Sequence, residues 1–98
     1  MEKKNDNEIF IGDKDIFRYN NAVRIVLENF DNAIVRARGK NVNKALDLLY
    51  MNLSDNIKIE IKINKEKMKN KDDNMRLVRI FDAIITKQTL WTYKNIFK

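Results

Sequence analysis

Ninety-eight residues, 44% of them hydrophobic, are enough for one small domain with one modest core. A net charge of +6 and a pI near 9.6 favour a polyanionic partner, although such a charge also serves solubility alone. With no cysteine and no histidine, the chain has no disulfide, no thiolate metal site, no thiol nucleophile and none of the commonest general base.

Residues 1–7 are polar and read as a flexible N-terminus. Glu8 to Gly12 (EIFIG) is a short apolar run stopped by glycine, which predicts a strand. An aspartate then caps a helix from Ile16 to about Asn29. Ile16, Tyr19, Val23, Val26, Leu27 and Phe30 recur at three- and four-residue steps and form its apolar stripe. Asp31-Asn32 is a turn signal, and Ala33 to Arg38 alternates as a strand. There Ala33, Val35 and Ala37 face one way, and Ile34, Arg36 and Arg38 the other.

A second helix is predicted from about Asn41 to Asn52, with Val42, Ala45, Leu46, Leu49 and Leu53 on its buried stripe. Ser54-Asp55-Asn56 ends it. Ile57, Ile59, Ile61 and Ile63 then alternate with Lys58, Glu60, Lys62 and Asn64, the pattern of a strand whose isoleucines face the helices. Lys65 to Asn74 (KEKMKNKDDN) is highly charged and aperiodic, so a long mobile hairpin arm is expected. A last strand lies within Arg76 to Lys87, and its alternation slips around Ile80–Asp82, which suggests a bulge. Residues 88–98 form an aromatic tail with Leu90, Trp91, Tyr93, Ile96 and Phe97.

The order strand–helix–strand–helix–strand–strand predicts an α/β two-layer sandwich over residues 8–87. Its four-stranded mixed sheet would carry both helices on one face. The chemistry concentrates between Arg36 and Lys44. Two arginines end a strand, a glycine allows close backbone approach, and a helix N-terminus follows. Guanidinium groups donate paired hydrogen bonds to phosphate, so the stretch can cradle an anion. A solvated face of a lysine-rich protein is the plain alternative.

Arg36-Ala37-Arg38-Gly39-Lys40, followed by Asn43-Lys44-Ala45 and Asp47, resembles the Alba family of nucleic-acid-binding proteins. The likeness extends to Ile11-Gly12-x-Lys14 and to Tyr19. It implies a dimer that binds DNA or RNA with little sequence preference. A basic platform would contact phosphates, and hairpin arms would follow the duplex. By motif the platform is Lys14, Tyr19, Arg36, Arg38 and Lys40, and Arg18, Asn43 and Lys44 complete the candidate set. Lys65, Lys67, Lys69, Lys71 and Arg76 match the family's arm by location only, and Glu66, Asp72 and Asp73 dilute their charge. Asp13 stands where the family often has a lysine that acetylation controls. The second helix looks about one turn shorter than in typical archaeal members.

Tyr19 has two readings, as a core residue or as a ring at the platform edge that stacks on RNA bases. Trp91, Tyr93 and Phe97 likewise suit either packing of the tail against the domain or dimer interface, or a stacking surface for single strands. Asp13 and Asp15 are common cap residues and no third ligand accompanies them, so no metal, cofactor or enzymatic activity is expected. A membrane span needs roughly 18 apolar residues and no run approaches this, nor is the charged start a signal peptide. An intracellular protein is expected, in the cytoplasm, on a nucleoid or in a nucleus. The competing reading is a heterodimeric RNA-binding subunit of an RNase P-type particle.

Overall fold

Alternating residues build the sheet and three- and four-residue steps build its cover. The computed structural model describes residues 6–69 and 71–87. Strand β1 (Glu8–Phe10) leads to helix α1 (Ile16–Asn29), strand β2 (Asn32–Arg38) and a 3₁₀ turn at Gly39–Asn41. Helix α2 (Val42–Met51) and the long strands β3 (Ile57–Lys69) and β4 (Met75–Lys87) complete the domain. The sheet order is β1-β2-β4-β3, with β1 parallel to β2 and the other two pairings antiparallel. This is the expected α/β sandwich with a mixed four-stranded sheet.

Ile9, Ala33, Val35, Ala37, Phe81, Ala83 and Ile85 point from the sheet into the core. Tyr19, Val23 and Val26 of α1 meet them, as do Val42, Ala45, Leu48 and Leu49 of α2. Each large side chain fully buried here contributes about 1.5–3 kcal/mol. Asp15 caps α1 by accepting from the Phe17 backbone N–H at 2.9 Å. Asn7 belongs to the sheet margin: its carbonyl accepts from Ile34 N–H at 2.9 Å, and its side chain donates to Asn32 Oδ1 at 2.6 Å.

Five expectations change. The β3–β4 pairing runs without interruption from Ile57↔Lys87 to Lys69↔Met75, so the strands extend into the expected hairpin arm and most of the charged stretch is a paired two-stranded ribbon. There is no bulge at Ile80–Asp82 either: the alternation slips because Ile80 and Ile84 lie on the second face of a regular strand, opposite Phe81, Ala83 and Ile85. The buried arc of α2 is turned toward Leu48, while Leu46 is 41% and Leu53 60% exposed. Asn52 Nδ2 donates to Asn20 Oδ1 of α1 at 2.9 Å, which places the Leu48–Asn52 side against α1 and the Leu46–Leu53 side away from it. Finally, the helices cover the inner strands and stop short of β3, so Ile61 and Ile63 are 47% and 55% exposed although they lie beside the buried Ala83 and Phe81. Phe30, predicted for the α1 stripe, follows the last helical residue in extended conformation and is exposed.

Candidate functional site

Two loops meet at one end of the sandwich: β1–α1, around Gly12 to Lys14, and β2–α2, around Gly39 to Asn41. Gly39 has φ +55°, a left-handed conformation that favours glycine and reverses the chain from β2 into α2. The first loop is held by side chains from both helices. Tyr19 Oη accepts from the backbone N–H groups of Gly12 (2.8 Å) and Lys14 (3.2 Å). Lys44 Nζ, from α2, donates to the carbonyls of Gly12 (2.7 Å) and Lys14 (2.9 Å). The ammonium also sits 5.7 Å from the Tyr19 ring centre, within cation–π range. A Cβ added at Gly12 would come within 3.3 Å of Tyr19 Oη, which explains a small residue there.

Tyr19 is thus resolved as a core residue, 9% exposed, that shapes the loop through its hydroxyl. Lys44 likewise spends its charge on two backbone carbonyls. Lys14 and Arg18 are exposed at the start of α1, and Arg38, Lys40 and Asn43 are exposed around the second loop. Lys40 Nζ lies 3.7 Å from Asp13 Oδ1 and ties the loop tips together, a solvent-screened pair of small worth. Arg36 is set apart. It points to the open face of the sheet, with Nη2 3.4 Å from Glu8 Oε1 and Nε 3.9 Å from Asp82 Oδ1.

The ribbon rises beside the second loop and closes a cleft of about 440 Å³. Lys40 and Asn43 line one wall, and Lys65, Arg76 and Arg79 line the other. No carboxylate lines it, so four cations share one concavity with the start of α2. The structure therefore brings Lys40, Asn43, Lys65 and Arg76 together and adds Arg79, which the sequence reading missed. Its signal is the cross-strand register Lys65↔Arg79, which is legible only once the hairpin pairing is known. Lys67, Lys69 and Lys71 lie farther along the ribbon toward its tip, where Lys69 Nζ pairs with Asp73 Oδ1 at 3.2 Å.

The aromatic tail, with Trp91, Tyr93 and Phe97, lies outside the described residues. Among the described residues no group of three His, Cys, Asp or Glu side chains could hold a metal ion, and no helix is long and apolar enough to cross a membrane.

No protein-family model matches the sequence. Among solved structures, the chain is similar to Alba from Thermoplasma volcanium, with a TM-score of 0.72 and 26% identity over 83% of this chain and 100% of that one. It is also similar in fold to ALBA1 from Trypanosoma brucei, with a TM-score of 0.68 and 18% identity over 95% of this chain and 79% of that one. The class of protein is therefore an α/β sandwich of the Alba fold. These likenesses support the Alba family to which the motifs of the chain point.

Proposed function

We propose that this protein is a dimeric, largely sequence-independent nucleic-acid-binding protein, chromosome- or RNA-associated, and not an enzyme. The observation that carries this reading is the cleft lined by Lys40, Lys65, Arg76 and Arg79, with no carboxylate among its lining residues. Such a concavity recognises phosphate by charge and by hydrogen-bond donors that any sequence can satisfy. The Alba likeness points the same way. Dimerisation is supported by an apolar surface that the single chain leaves exposed: Leu46 and Tyr50 on α2 and Leu53 just after it, with Ile61, Ile63 and Leu77 on the helix side of the sheet. Two copies would double the charge and present two ribbons to one duplex.

The test is a titration of duplex DNA and duplex RNA at 50 and 200 mM salt. With about 6–10 phosphate contacts per dimer, affinity falls roughly 10³- to 10⁵-fold between these conditions. Arg76→Ala and Arg79→Ala each weaken binding to every sequence alike and lower the salt slope by about one. Affinity indifferent to salt would refute phosphate contact, and a strong preference for one sequence would refute the non-specific mode.

A further inference from the structure

The ribbon carries a feature that phosphate contact does not use. Directly opposed residues of an antiparallel pair share a face, so Lys65↔Arg79, Lys67↔Leu77 and Lys69↔Met75 put four cations and two apolar side chains on one side. Glu66 lies on the other side, opposite Val78. Leu77 is 61% and Met75 56% exposed, and neither belongs to the core. Met75 is the first residue of β4 and pairs with the last of β3, at the outer end of the ladder. Phe81 is the last buried residue of β4 in that direction. At about 3.3 Å per residue, Met75 stands roughly 20 Å beyond it.

An apolar side chain held this far from any core, with a lysine directly across from it, calls for a surface with anions at its rim and apolar material between them. Two copies meeting through these outer rows would set Lys67 and Lys69 against their equivalents, so self-association does not cover Met75. A groove of duplex DNA has the required pattern, because phosphates line it and stacked bases form its floor. The minor groove is only about 6 Å wide and 7.5 Å deep, within reach of the ribbon. The minor groove of duplex RNA is wide and shallow and displays 2′-hydroxyls, which neither confine a ribbon nor suit a thioether. Methionine is unbranched and polarisable, and it adapts to an irregular gap.

We propose that the ribbon is a wedge that bends DNA. Met75 enters between two base pairs from the minor groove and partly unstacks them, while Lys67 and Lys69 hold the flanking phosphates. Lys69 gives up its exposed partner Asp73, 3.2 Å away, at little cost. Leu77 borders the apolar surface assigned to dimerisation, so the wedge is assigned to Met75 alone. This inference rests on the reading of the chain as a duplex-binding protein. It adds an activity that phosphate contact in the cationic cleft does not produce.

Energy transfer between dyes at the two ends of a short DNA duplex tests it. At saturating protein the transfer rises above that of the free duplex, and a matched RNA duplex shows no such rise. Met75→Ser abolishes the rise and keeps the salt slope of the parent, and its duplex binding reports that it has folded. Met75→Leu, another apolar wedge, keeps the bend. A central mismatch, already poorly stacked, tightens binding by the parent about tenfold and leaves binding by Met75→Ser nearly unchanged. No rise at saturation, or a rise that survives Met75→Ser, overturns the wedge and leaves the phosphate reading standing. A Met75-dependent rise on duplex RNA overturns the assignment to the DNA minor groove. A lower sedimenting mass for Met75→Ser than for the parent would make Met75 a contact between protomers instead. Failure of the parent to bind any duplex removes the phosphate reading as well.

Discussion

At the scale of single residues, Tyr19 and Lys44 show how charge and aromaticity can mislead in a linear reading. Both lie in motifs that imply nucleic-acid contact, yet their polar atoms face the β1–α1 loop. Tyr19 Oη takes two backbone N–H groups and Lys44 Nζ takes two carbonyls, so four backbone groups of one short loop are satisfied by two side chains. Tyr19→Phe keeps the buried ring and removes only the hydroxyl. Leaving a part-buried backbone donor unpaired costs about 1–3 kcal/mol, so urea unfolding should show a loss of that order. A shift in midpoint with an unchanged slope is the expected signature. An unchanged midpoint would mean that water replaces the hydroxyl without cost. Arg36 makes the complementary point: its strand position was legible from alternation, but its neighbours Glu8 and Asp82 come from two other strands.

At the scale of elements, the ribbon is where sequence and structure differ most. Lys65 to Lys69 alternates lysine with Glu66 and Met68, a pattern without hydrophobic periodicity, because neither face of the ribbon is covered by a helix. What holds it is the ladder from Lys65↔Arg79 to Lys69↔Met75, continued outward from the buried Phe81 and Ala83. The lysines on this edge strand also discourage pairing with other chains. Replacing Lys65, Lys67 and Lys69 together by Ser should leave the thermal midpoint nearly unchanged, since all three are exposed. The same variant should lower the slope of log K against log salt for duplex DNA by about 0.9 for each lysine that contacts a phosphate. A slope identical to that of the parent would take the ribbon out of the binding surface. The isoleucine strand was readable for its first half only, because Ile57 and Ile59 pack on the core while Ile61 and Ile63 pass the edge of the helical layer.

At the scale of the whole molecule, the exposed stripe of α2 and the uncovered isoleucines of β3 point to a partner surface. α2 turns Leu48 and Asn52 toward α1, and this leaves Leu46, Tyr50 and Leu53 on the other flank. In the dimer we propose, Leu46→Asp places a charge in an apolar contact and should convert the species to a monomer in sedimentation velocity. The monomer should keep the helical and strand signal of the fold and bind duplex with roughly half the salt slope, because half of the phosphate contacts are lost. A parent protein that sediments as a monomer would remove the dimer from the proposal while leaving the cationic cleft in place.

The linear sequence determined the element order, the two-layer class and the end of the molecule where the basic loops meet. Those depend on local signals: alternation, helical spacing, a capping aspartate and a glycine at a turn. Only the tertiary structure decided which cations act together and which are spent internally. Lys40 and Arg79 are far apart in the chain and share a cleft because β4 passes beside the β2–α2 turn, while Lys44 is drawn to carbonyls of a loop thirty residues before it. The basic motif from Arg36 to Lys44 is therefore divided in space. Arg36 faces the open sheet, Lys40 and Asn43 line the cationic cleft, and Lys44 braces the neighbouring loop. Spacing along a strand and helix reports the face on which a side chain starts, but the partners that fix its charge come from other elements.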